Sequence, residues 1–91
     1  MSLLKPILLV EDDFVDASTA KQALQDLRVR NPVVHKTDGE EALEYLRDPN
    51  NEKPAIMRLD LNMPRISGIE LLQMMKTDAE LQHIPVVALT V

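Results

Sequence analysis

The sequence predicts an α/β fold in which a mainly parallel sheet is covered by helices on both faces, because short apolar runs alternate with stretches of helical period along the chain. Two further observations support this. The first of these runs is continuous rather than alternating, as in a strand buried on both faces. The helical stretches are also punctuated by capping residues and prolines at their ends.

Ile7-Leu8-Leu9-Val10 is the first such run and reads as a strand. A helix follows from about Phe14 to Arg28, where Ala17, Ala20, Leu24 and Leu27 recur at helical spacing. Asn31-Pro32 ends it, since the residue before a proline is pushed out of the helical region. Val33-Val34-His35 is the second strand, and Asp38-Gly39 opens a second helix. There Asp38 and Glu41 have capping-box spacing, and Ala42, Leu43 and Leu46 supply the buried stripe. Pro49 to Pro54 is a loop. Ala55 to Leu59 forms the third strand and ends at Asp60. Ser67 and Glu70 again have capping-box spacing, ahead of a helix carrying Ile69, Leu72 and Met75. Pro85 stops that segment, and Val86-Val87-Ala88-Leu89 is the fourth strand.

Ninety-one residues suit one small domain, spanning 1–91. With one Phe and one Tyr, the core must be aliphatic, and Met74 and Met75 read as filler within it. A net charge of −5 argues against direct binding of nucleic acid or an anionic membrane and favours a protein partner or a cation. The absence of cysteine excludes disulfides, thiolate metal sites and a Cys nucleophile. No apolar run approaches the length of a membrane span or a signal peptide, so the expected location is the cytoplasm.

In an open parallel sheet, functional groups gather at the carboxyl ends of the strands. The first strand ends in Glu11-Asp12-Asp13, the third in Asp60 and the fourth in Thr90. Two like charges about 4 Å apart cost roughly 4 kcal/mol at an effective dielectric near 20. A hard divalent cation relieves such crowding, and all-oxygen ligands suit Mg²⁺. Taken singly, each group has a plainer reading. The acidic triplet suits capping of a helix N-terminus, Asp60 suits capping of a loop, and a β-branched Thr90 is at home in a strand. His35 and His83 have no partners at metal spacing and read as ordinary surface or strand-edge residues. The acidic face Glu40, Glu41, Glu44 reads as solvated surface.

Leu8 to Asp13, then Leu59-Asp60-Leu61-Asn62-Met63-Pro64 with Gly68, then Ile84 to Thr90 resemble, in order and spacing, the signatures of response-regulator receiver domains. The stretch Asp78, Leu81, Ile84-Pro85 resembles small stand-alone receivers, including those paired with phytochrome-type histidine kinases. The resemblance implies a flavodoxin-like doubly wound sheet of strand order 2-1-3-4-5. On that pattern the chain is truncated after the fourth strand, lacking the family's last strand and last two helices. It implies that Asp60 accepts a phosphoryl group from a histidine kinase, and that Glu11, Asp12, Asp60 and the Asn62 carbonyl serve a Mg²⁺ ion. Thr90 is then the switch hydroxyl, Pro64 stiffens its loop, and Gly68 permits close approach at a helix start. The protein so read is a signalling switch for a downstream partner and not a turnover enzyme.

The family's lysine at the end of a fifth strand has no counterpart among Lys5, Lys21, Lys36, Lys53 and Lys76. An alternative reading is therefore a receiver fragment that cannot be phosphorylated and acts as an interaction or assembly module. An open fourth strand would also be a template for self-association. An aspartate-nucleophile phosphohydrolase is disfavoured, because such enzymes carry a second acidic residue two positions after the nucleophile, where Asn62 stands. Arg58, two residues before Asp60, shares its side of the sheet and must either pair with an acid or remain wet.

Overall fold

The structure is a computed structural model that describes residues 4–61, 63 and 67–89. Seven elements follow in the predicted alternation: β1 (Ile7–Val10), α1 (Phe14–Asp26), β2 (Val33–Lys36), α2 (Gly39–Arg47), β3 (Ile56–Asp60), α3 (Gly68–Lys76) and β4 (Val86–Leu89). The strands form one parallel sheet in the order β2-β1-β3-β4. This is the flavodoxin-like strand order, with β1 and β3 at its centre.

The two faces of the sheet are filled unequally. Alternation along the strands sends Leu8 and Val10 of β1, with Met57 and Leu59 of β3, to one face. There they meet Ala42, Leu43 and Leu46 of α2, Leu71 and Met75 of α3, and Met63 and Leu81 from the connections. All are buried, and all are aliphatic or methionine as the composition requires. The opposite face carries Ile7, Leu9, Ile56, Arg58 and Val87, with α1 beside it. Between them lies a groove of about 640 Å³.

The caps explain where the helices start, and they correct the expected pattern in one place. Asp38 accepts the Glu41 amide at 2.8 Å, as predicted. The Glu41 carboxylate, however, reaches past the cap to Thr37, accepting from its amide at 2.9 Å and its hydroxyl at 2.7 Å. These two bonds hold its carboxyl below the ordinary carboxylate range. Ser67 caps α3 by accepting the Glu70 amide at 3.2 Å.

Other expectations on the helices are corrected by the burial. Ala17 is the single buried residue of α1, and Leu27, expected on its apolar stripe, is 75% exposed just beyond its end. In α3, Leu71 and Met75 face the core, whereas Ile69 and Met74 face solvent. Helical spacing fitted both the expected stripe of Ile69, Leu72 and Met75 and the observed pair Leu71 and Met75, and only packing against α2 and β3 chooses between them. Arg58 is half-buried and opens into the groove beside Glu11 and Asp16. No described buried side-chain nitrogen or oxygen lacks a hydrogen-bond partner.

Gly68 fixes how closely α3 approaches the end of β3. A Cβ at this position would run into the Asp60 carbonyl oxygen and lie 2.5 Å from Leu61 Cα. Both obstacles are backbone, so neither can rotate away. The Gly68→Ala variant is accordingly expected to lose about 1–3 kcal/mol, the usual cost of overpacking, measured by urea unfolding. The unequal faces give a second expectation. Leu8→Ala should cost about 2–5 kcal/mol, and Val87→Ala, at a site 47% exposed, should stay within about 0.5 kcal/mol.

Candidate functional site

The parallel register brings the acidic residues together. β1 and β3 run side by side with Val10 opposite Leu59. The next residues along, Glu11 and Asp60, therefore leave the sheet as neighbours at its carboxyl edge. Carboxylate oxygens of Glu11, Asp12 and Asp60 come within 4.8 Å of one another. Glu11 is buried, Asp60 half-buried and Asp12 exposed, so the cluster opens to solvent on the Asp12 side.

The two readings of the Glu11-Asp12-Asp13 triplet divide between its members. Asp13 is the N-cap of α1, its Oδ1 accepting the Val15 amide at 2.8 Å and the Asp16 amide at 3.1 Å. Glu11 and Asp12 face Asp60 instead. The Asp13 amide in turn donates to Glu11 Oε2 at 3.2 Å, so the cap and the cluster are joined through one residue.

Burial pushes the Glu11 carboxyl up to about 7, opposed by the hydrogen bond from the Asp13 amide. Hydrogen bonding to Asp60, its negative charge and the nearby Asp12 act in the same direction as burial and are part of that rise. The cluster is thus short of positive charge: three acids crowd together, and the most buried one retains a proton more readily than an ordinary glutamate. The donors are all carboxylate oxygens, two within or near the sheet edge and one on the open side. That set fits a small hard divalent cation such as Mg²⁺ or Mn²⁺ and offers nothing to a soft thiophilic metal. A carboxylate beside such an ion can also act as an oxygen nucleophile toward phosphorus.

Of the residues predicted for the site, Glu11, Asp12 and Asp60 are brought together. Asn62, Pro64 and Thr90 lie outside the described residues. One residue that sequence reasoning treated as ordinary belongs beside the site. His35 Nε2 lies 2.7 Å from the Glu11 carbonyl oxygen, and the ring is half-buried. Its signal was a place near the end of the strand flanking β1, which acquires meaning only once the register is known. His83 is exposed, as expected.

Among the described residues, no helix is long and apolar enough to cross a membrane. The chain is similar to the response regulator Rcp1 of Synechocystis sp., with 34% identity over 90 residues; the match covers 94% of this chain and 61% of that protein. The chain thus spans about three fifths of the length of that curated relative. Among solved structures it is similar to the bacteriophytochrome response regulator AtBRR, with a TM-score of 0.91 and 42% identity over 98% of this chain and 68% of that one. The phosphorylated cyanobacterial phytochrome response regulator RcpA gives a TM-score of 0.88 at 41% identity, covering 96% of this chain and 65% of that one. The Mn²⁺-bound form of Rcp1 gives 0.88 at 34% identity, covering 94% and 65%. A family model described as the response regulator receiver domain matches residues 7–91, and the chain, with its four-stranded parallel sheet and its acidic edge, belongs to that family.

Proposed function

We propose that Asp60 accepts a phosphoryl group from the phosphohistidine of a histidine kinase, in a Mg²⁺-dependent reaction that switches the domain toward a downstream protein partner. The observation that carries this reading is the convergence of Glu11, Asp12 and Asp60 within 4.8 Å at the carboxyl edge of a parallel sheet. Similar structures support it: one holds Mn²⁺, one is phosphorylated, and two are response regulators of a phytochrome or bacteriophytochrome. A phytochrome-type kinase is accordingly the proposed donor, and the cytoplasm the proposed location.

In the proposed step an Asp60 carboxylate oxygen attacks phosphorus. A P–O bond forms, the P–N bond to the kinase imidazole breaks, and the imidazole leaves as the neutral base after taking up a proton. Glu11 and Asp12 are the proposed cation ligands beside Asp60, joined by the Asn62 carbonyl. A bound Mg²⁺ supplies neutralisation of charge on the phosphoryl oxygens. The position of Asp60 at the end of β3 is fixed by its pairing with Leu89 of β4 and by the close approach of Gly68. Thr90, the residue after β4, is the proposed hydroxyl that moves toward the phosphoryl group. The product is an acyl phosphate on the protein itself, so the domain is a stoichiometric acceptor rather than a turnover enzyme.

The edge of the sheet supports a second, compatible role. β4 pairs with β3 and lies at the end of the described sheet, and Val87 and Leu89 are 47% and 38% exposed. A strand at the edge of the described sheet that carries exposed apolar side chains can act as a template for another copy. Self-association through β4 is therefore part of the proposal.

Intact-mass analysis after incubation with Mg²⁺ and a small phosphodonor tests the first role. A single phosphoryl adduct is expected on the chain, absent from the Asp60→Asn variant and lost on chelation of the metal. A folded chain that binds Mg²⁺ and gains no adduct would reject phosphoacceptance by this chain and leave an assembly role. Light scattering across a concentration series tests the second role. The expected result is a mass that rises with concentration and falls back on Val87→Lys substitution; a constant monomer mass would refute association through β4.

A further inference from the structure

The Glu11 carbonyl lies where the chain has left β1 and has not yet entered α1. The Glu11 amide still pairs with β2, donating to the Lys36 carbonyl at 3.0 Å. In an extended strand the amide and carbonyl of one residue point toward the same neighbour. The Glu11 carbonyl therefore faces β2 too, past the last registered pair, Val10 with Lys36. The partner it meets there is a side chain, His35, with Nε2 at 2.7 Å. A carbonyl oxygen can only accept, so this nitrogen must carry the hydrogen. The imidazole is steadied from the helix side by Phe14, whose ring meets it edge-on at 82° with centroids 5.6 Å apart.

These contacts hold the acidic turn at two points. β2 grips Glu11 through both its amide and its carbonyl, and the N-terminus of α1 grips Asp13 through its cap. Asp12 hangs between the two. Like charges on Glu11, Asp12 and Asp60 drive the turn outward, away from β3. The carbonyl anchor opposes that movement, because the first residue of the turn cannot leave without giving up a half-buried hydrogen bond.

We propose that His35 is a positioning residue for the acidic cluster: its hydrogen bond to the Glu11 carbonyl keeps Glu11 and Asp12 converged on Asp60 and so sets the cation affinity of the site. The inference rests on the reading of Glu11, Asp12 and Asp60 as a cation site. It adds a residue that donates nothing to the ion and acts through the backbone of one that does.

The test is calorimetric titration of Mg²⁺ into the chain and its His35→Leu and His35→Gln variants, well below their melting temperatures. Leucine fills the space without a donor, whereas the glutamine amide places an N–H close to where Nε2 stands. Loss of an outer partner of a metal site commonly weakens binding by about 10–100-fold. His35→Leu is expected to bind Mg²⁺ about tenfold more weakly, with His35→Gln close to the parent. If His35→Leu does not fold, His35→Asn, whose amide stops one methylene short of the carbonyl, takes its place with the same expectation. A variant that melts earlier but binds Mg²⁺ as the parent does would show a packing role only and overturn the inference while leaving the cation site intact. A parent chain that takes up no Mg²⁺ would overturn the cation reading and this inference with it.

Discussion

The repulsion among Glu11, Asp12 and Asp60 is the constraint around which this end of the molecule is built. Left to themselves, three carboxylates would separate by turning outward into water. Covalent and hydrogen-bonded geometry prevents it. The register of β1 against β3 delivers Glu11 and Asp60 side by side, and the ladder bonds behind them fix that register. Behind Asp60 stands the backbone contact that only Gly68 permits. Behind Glu11 stand Lys36, His35 and the Asp13 amide. The stability for this unfavourable arrangement is supplied by the aliphatic layer between the sheet and helices α2 and α3, where Leu8, Met57, Leu59 and Leu71 have no exposure at all.

The chemistry sits close to the less covered face. Glu11 contributes both to the acidic cluster and to the wall of the groove beside α1, where Asp16 and Arg58 also lie. The well-packed face provides rigidity, and the groove provides room. At their boundary Glu11 is held by its backbone, with its carboxyl buried and close to the neighbouring charge of Asp60. This combination accounts for the strong displacement of the Glu11 carboxyl from its ordinary range.

Much of the fold was legible because it depends on short-range signals. Short, largely apolar runs located all four strands to within a residue or two, and Asp38 and Ser67 marked the starts of two helices by a chemistry that is local to each turn. The acidic cluster was legible because strand order and parallel direction suffice to place strand ends at one edge. What was not legible depends on which of several neighbours a side chain meets. Helical spacing alone could not choose between Ile69 and Leu71 as the buried residue of α3, nor show that Leu27 falls beyond the end of α1. The Glu41 carboxylate bonds to Thr37 rather than to the capping residue, a difference of one position that spacing rules do not resolve. His35 was passed over because its partner is a backbone carbonyl 24 residues away in sequence.

The described sheet contains no hairpin: every described pairing is parallel, and even the paired strands closest in sequence, β1 and β2, are separated by the whole of α1. Such pairings form only after long loops have closed, which makes them late and interdependent. The three carboxylates therefore have no partially assembled counterpart in the unfolded chain, where Glu11 and Asp60 are far apart. An ion or phosphoryl group recognised by the cluster is recognised only by chains in which β1 and β3 have already paired. Occupancy of the site is thereby linked to the folding equilibrium itself, and any ligand held there shifts that equilibrium toward the native state by mass action.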